Sequence, residues 1–147
     1  MSNAYECIMA RAVARVAHSG QTDKAGRPYI EHPERVAASV PIDCAPAALL
    51  HDVVEDTPLT IPDLVAAGFN DATIAAVDAL TRRTDEPYKA YIARCAANRI
   101  ARIVKLADIA DNRNPERVAE AKARGARVAG LLKRYDEAER VLEGVTP

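Results

Sequence analysis

Residues 47–58 read AALLHDVVEDTP, an apolar stretch with four ionisable groups set into it. Ala47, Ala48, Leu49, Leu50, Val53 and Val54 are core residues by type, whereas His51, Asp52, Glu55 and Asp56 are not. Pro46 suits a helix start, and Pro58 ends the segment because the residue before a proline is pushed out of the α region. A helix is therefore expected across the stretch. Its two acids at the C-terminal end are unfavourable to the helix dipole unless a cation sits beside them.

Helical signals extend in both directions. Tyr5, Ile8, Met9, Ala12, Val13, Val16 and Ala17 recur at helical spacing and predict one apolar face, ended at Gly20. Residues 20–31, GQTDKAGRPYIE, are a polar loop, and Pro33 marks a helix start after His32. Thr60 and Pro62 open a short helix that stops at Gly68. Asn70 caps a helix through about Arg82, and DEP at 85–87 opens another with Tyr88, Tyr91, Ile92 and Cys95 on one face. Residues 99–113 carry Ile100, Ile103, Val104 and Ala107 as a stripe. Pro115 begins a long charged helix to about Gly144, weakened by Gly125 and Gly130. No useful segment alternates apolar with polar, so the fold class is all-α. With 147 residues, one domain is expected, with its core at about 4–114 and the charged helix at about 115–144.

The formal net charge of −1 argues against a general nucleic-acid binder. No apolar run is long enough for a bilayer, and the N-terminus lacks a cleavage-like apolar segment, so neither a membrane nor secretion is expected. Cys7, Cys44 and Cys95 are odd in number and form no CxxC pair. They read as small core residues in a reducing, cytoplasmic setting.

His51 and Asp52 point about 100° apart on a helix, so both can reach one metal over its edge. An imidazole with a carboxylate suits Mn, Fe, Co or Zn. Two ligands are too few. His32, ahead of Pro33, and Asp108, set in the apolar run VKLADIADN at 104–112, are candidates for the rest. A carboxylate among Leu106, Ala107 and Ile109 needs a partner, and the alternative to a metal is an arginine such as Arg102 or Arg113. His18 reads as structural.

The blocks AHSGQTDKAGRPYIEHP (17–33), LLHDVVEDT (49–57) and KLADIADN (105–112) resemble the HD-domain metal-dependent phosphohydrolases, and in particular the RelA/SpoT-type hydrolase domain and its small single-domain homologues. The resemblance covers most of the chain to about residue 114. It implies a multi-helix HD bundle with His32, His51, Asp52 and Asp108 as ligands of one ion, usually Mn²⁺. It also implies that Glu55 and Asp56 are the acidic pair that handles the attacking water, each one turn beyond a ligand. Lys24, Tyr29 and Asn112 fall at positions near the nucleotide, with Lys24 placed to neutralise phosphate. Asp111, beside Asn112, has a less defined place, and Lys105 and Arg82 are further phosphate candidates.

The implied reaction is removal of the 3′-pyrophosphate of a (p)ppGpp-type nucleotide. The alternatives are another nucleotide, such as a nucleoside monophosphate or NADPH, or a non-catalytic helical regulatory module that keeps the metal. One position departs from the pattern. Where the alarmone hydrolases commonly carry an arginine that packs on guanine, this chain has Asp23, an acid that cannot stack and repels phosphate.

Overall fold

Six consecutive residues, Ala45–Leu50, are buried, and the helix they form is the axis of the molecule. In the computed structural model, which describes residues 1–144, ten helices run in chain order. They are α1 (Asn3–Ala17), α2 (Glu31–Ala38), α3 (Ala45–Leu50), α4 (Val53–Asp56) and α5 (Ile61–Ala66), followed by α6 (Asp71–Leu80), α7 (Tyr88–Ala97), α8 (Arg99–Asn112), α9 (Pro115–Ala123) and α10 (Ala129–Leu142). Among the described residues there is no strand, only an isolated bridge between Thr22 and Pro28 that closes the loop before α2. The all-α bundle expected from the periodicity is what forms.

Helix α3 packs on α1, α2, α6 and α8, and α8 packs in turn on α2, α6, α7 and α10. Helices α2, α3 and α8 therefore meet pairwise. Whatever polar residue each carries toward the common seam lies in the interior. His32 is on α2, His51 follows α3 and Asp108 is on α8, and all three are buried.

Two expectations change. Helix α1 does not bury the large apolar face that its spacing suggested. Tyr5, Ile8 and Val16 are 59%, 64% and 79% exposed, and α1 turns Cys7, Ala10 and Ala14 inward onto α3. Small residues on both helices let the backbones approach closely, and that packing outweighs burial of the bulkier stripe. The charged C-terminal segment is not one helix from 115 to 144. It is α9 and α10, separated at Arg124–Val128, because Gly125 adopts φ 90 and stops α9.

The remaining boundaries follow their local chemistry. Thr60 and Asp63 form a capping box at α5, and Asn98 caps α8 by accepting from the Ala101 N–H. Asn70 precedes α6 but spends its side chain on buried Glu6, at 2.9 Å from Nδ2 to Oε2. The cysteines are free and buried. Among the described residues, no helix is long and apolar enough to cross a membrane.

Candidate metal centre

The stretch at 47–58 is not a continuous helix. Helix α3 ends at Leu50, His51 is its C-cap, and Asp52 leads into the four-residue α4 with φ −108 and ψ 0. The break places Glu55 and Asp56 in the first turn of α4 rather than at the end of a long helix. Their position needs no cation to excuse it on dipole grounds. What the break does is turn the carboxylate of Asp52 back toward His51, with Oδ2 3.1 Å from Nε2.

His32, His51 and Asp108 each offer a donor atom, and these atoms lie within 4.8 Å of one another. His32 Nε2 is 2.8 Å from Asp108 Oδ1, and His51 Nε2 is 3.4 Å from the same oxygen. Adjacent donors around one ion at about 2.1 Å stand about 3.0–3.4 Å apart; the His51 spacing is of that size, and the His32 spacing is a hydrogen-bond distance just inside it. The ring orientations also fit. The Ala48 carbonyl can only accept, so the hydrogen of His51 is on Nδ1, 2.6 Å away. Its Nε2 is buried, faces the cluster and has no hydrogen-bond partner. His32 meets a carboxylate at each nitrogen, Nδ1 at 2.6 Å from Asp111 Oδ2 and Nε2 at 2.8 Å from Asp108 Oδ1, so Asp111 fixes the ring while Nε2 faces the cluster. A histidine fixed through its second nitrogen by a carbonyl or carboxylate is the usual arrangement at a metal.

The electrostatics of the cluster call for positive charge. Burial opposes charging either ring. Even so, hydrogen bonds to Asp108 and Asp111 raise the pKa of His32, and Asp52 followed by Asp108 raise that of His51 well above its ordinary value. Burial also works against the Asp108 carboxylate, but Lys105 and the two histidines hold its pKa well below the usual range. Lys105 Nζ donates to Asp108 Oδ2 at 2.7 Å, and Asn112 Nδ2 donates to Oδ1 at 3.1 Å. The basic partner of Asp108 is thus Lys105, not Arg102 or Arg113; Arg113 pairs with Asp136 and Glu139 on α10.

Around this centre the structure sorts the other candidates. Tyr29 hydrogen-bonds through its hydroxyl to Asp52, so it holds that carboxylate and does not simply face the cavity. Glu55 and Asp56 are exposed and line a surface pocket with Arg82, Arg83 and Glu86, apart from the cavity that Tyr29 and Asn112 line. Glu55 accepts the backbone N–H of Arg82 at 2.5 Å, which ties it to the α6–α7 turn. Partial desolvation and then Asp52 raise the pKa of both acids. His18 is buried, hydrogen-bonds Gln21 at 2.8 Å and packs on the Tyr29 ring at 4.8 Å, a supporting position.

Beside the centre, reached through Tyr29 and Asn112, is a cavity of about 300 Å³ whose lining includes Lys24, Val118, Leu131 and Leu132. Arg117 also lines it. Sequence reading missed Arg117, Arg35 and the role of Asp111. The signal for Asp111 was present: it follows Asp108 by three residues and so shares its helix face. Arg117 gave none, being one basic residue among many on a charged helix.

Asp111 yields a prediction. Its carboxylate is held at about 2 against the cost of burial by hydrogen bonds from His32 and Arg35 and by the charge of Arg117. Asp111→Asn keeps an acceptor but removes the charge that fixes the His32 ring. Divalent-ion affinity is expected to fall about 10–100-fold, read by competition with a chelating dye, while the circular dichroism spectrum stays helical.

No protein-family model matches the chain. A 57-residue stretch, 35% of the chain, is 54% identical to the bifunctional (p)ppGpp synthase/hydrolase SpoT of Escherichia coli (strain K12) and covers 8% of that protein. A 75-residue stretch, 48% of the chain, is 43% identical to a guanosine-3′,5′-bis(diphosphate) 3′-pyrophosphohydrolase of Vibrio cholerae and covers 10% of it. The chain thus spans only a small part of the length of the curated relatives it matches. Among solved structures it is similar to one described as a metazoan ortholog of SpoT that hydrolyzes ppGpp, with TM-score 0.62 and 25% identity over 96% of this chain and 97% of that one. In fold, and over these stretches of sequence, the chain is thus similar to hydrolases of the SpoT kind.

Proposed function

We propose that this chain is a divalent-metal-dependent phosphohydrolase that removes the 3′-pyrophosphate of a guanosine nucleotide of the (p)ppGpp type, with Mn²⁺ as the favoured ion. The observation that carries the reading is the meeting of His32, His51 and Asp108 at one buried point, with Asp52 beside them and a cavity opening next to it. His32, His51, Asp52 and Asp108 would hold the ion. When bound, such an ion supplies Lewis-acid activation of water and of a phosphoryl oxygen.

The rest is the work of the chain's own side chains. Glu55, with a raised pKa and contact with solvent, is the base that takes a proton from the attacking water. Asp56, its neighbour, orients that water. The water oxygen adds to the phosphorus that carries the 3′ oxygen, the bond between that phosphorus and the 3′ oxygen breaks, and the ribose oxygen leaves with a proton. Lys24 offsets phosphate charge at the cavity mouth, and Asn112 stands on the wall between cavity and centre. Tyr29 supports the site through Asp52. The apolar lining residues Val118, Leu131 and Leu132 suit a base, and Lys24 suits a phosphate chain.

Asp23 no longer speaks against an alarmone. Its Oδ1 takes the backbone N–H groups of Ala25 and Arg27 at 2.9 and 3.0 Å, and its Oδ2 takes Arg117 at 3.3 Å. Its charge is neutralised by the loop and by a guanidinium, so phosphate does not meet a bare acid. That removes the main support for nucleoside monophosphates or NADPH as the preferred substrate.

The test is a nucleotide panel with Mn²⁺-loaded protein, read by phosphate release with added pyrophosphatase. The (p)ppGpp-type nucleotide is expected to turn over fastest, with pyrophosphate as a product. Turnover of nucleoside monophosphates alone would keep the chemistry and reject the substrate. No turnover of any nucleotide, with Asp52→Ala indistinguishable from the parent, would leave the regulatory module as the better account.

A further inference from the structure

The loop between α1 and α2 rests on α9 through three contacts. Arg27 pairs with Glu120 at 2.9 Å, and Arg117 bonds Asp23. The Arg124 guanidinium lies against Gly26, where an added Cβ would come within 2.6 Å of Cζ. Gly26 also has φ 81, so only glycine serves both the turn and the close approach. The cavity beside the metal centre lies between this loop and the helices α9 and α10.

Arg117 lines the cavity and is held there by hydrogen bonds to Asp111 and to two neighbouring lining residues, Asn112 and Asp23. Its Nη1 donates to Asp111 Oδ2 at 2.6 Å and to Asn112 Oδ1 at 3.2 Å, and its Nη2 donates to Asp23 Oδ2 at 3.3 Å. The N–H bonds of a guanidinium lie in its plane. Both terminal nitrogens are engaged and Nε is buried without a partner, so the surface left for a ligand is the flat face of the group. Its side chain is 18% exposed, and Val118, Leu131 and Leu132 continue the same cavity wall. A planar cation held by its edges beside an apolar wall is a stacking surface for an aromatic ring.

We propose that Arg117 recognises the nucleobase through its face and gives the site its preference for purines, and that Asp23 is the positioning residue that holds the guanidinium in place. This inference rests on the nucleotide-hydrolase reading above. It gives Asp23 a purpose. The acid that cannot stack on a base anchors, from the other side of the cavity, the side chain that can. A purine offers a larger face than a pyrimidine, and stacking of a base on a planar side chain is worth roughly five- to a hundredfold in affinity.

The experiment uses the full Mn²⁺-loaded chain and two probes, guanosine 5′-diphosphate and uridine 5′-diphosphate. Binding is measured by calorimetry, and turnover of the panel's best substrate is measured in parallel. The parent protein is expected to bind the guanosine probe about tenfold more tightly than the uridine probe. Arg117→Lys keeps the charge but lacks the planar face, and it is expected to erase that preference. In the same variant, KM rises about tenfold while kcat and manganese content stay at the parent level. Asp23→Asn shifts both quantities in the same direction by a smaller factor.

An Arg117→Lys protein that keeps the guanosine preference overturns the inference, and if it still hydrolyses nucleotides the functional reading survives. Equal binding of both probes by the parent also overturns it. So does a loss of manganese in Arg117→Lys, because Arg117 would then act only by supporting Asp111. A parent that binds neither probe and hydrolyses nothing overturns inference and functional reading together.

Discussion

Asp108→Ala is expected to bind no divalent ion at stoichiometric concentration and to show no turnover, and it should also be the most destabilising single change at the site. The two effects have different origins. Asp108 is the acid that both histidines approach, at 2.8 and 3.4 Å, so its removal takes away the anionic donor common to the cluster. Among the described residues it is also the carboxylate that pairs with the largely enclosed Lys105, at 2.7 Å. Removing one partner of a buried pair strands the other charge and costs about 3–5 kcal/mol. A double variant separates the causes. Asp108→Ala/Lys105→Met removes the stranded ammonium and is expected to recover most of the stability in urea denaturation, yet bind no metal. If stability does not return, Lys105 is not the charge that Asp108 holds. If the single variant still binds metal at full occupancy, Asp108 is not a donor.

The bundle was legible because its information is local. Prolines, caps and helical periods at Pro46, Pro58, Thr60 and Asn70 are one-dimensional signals, and the helices begin and end near them. What could not be read is which face of a helix wins. Helix α1 carries two usable faces, one of large and one of small apolar residues, and only the neighbouring α3 decides for Cys7, Ala10 and Ala14. The site divides along the same line. His32, His51, Asp52 and Asp108 announce themselves as polar residues in apolar or proline-flanked settings. The residues that orient them do not. Arg117 looks like any other charge on a solvated helix until α9 folds back onto the loop, and Lys105 looks like a surface lysine until its helix packs on α7. Asp23 shows the reverse error. Read alone it is an acid in a phosphate site, but in the structure it is already paired.

Glu55→Gln is expected to lower kcat by about 10²–10⁴ while manganese content stays at the parent level. Among the described residues, Glu55 makes no hydrogen bond or ion pair to those that would hold the ion. Its carboxylate accepts the Arg82 N–H, and a glutamine oxygen can accept that bond equally well, so the side chain should stay in place. What the amide cannot do is take a proton. The pH profile carries the sharper test. Partial desolvation, then Asp52 and Asp56, raise the pKa of Glu55 above its ordinary value of 4.5. A base must be unprotonated to act, so the rate should climb with pH through that raised pKa and level off above it. In Glu55→Gln this acid limb should vanish and the residual rate should be flat across the same interval. Asp56→Asn keeps Glu55 and should therefore keep the limb, moved to lower pH because one neighbouring negative charge is gone. A Glu55→Gln profile that retains the limb would transfer the base role to Asp56, whose pKa is raised by burial and by Asp52 in the same way.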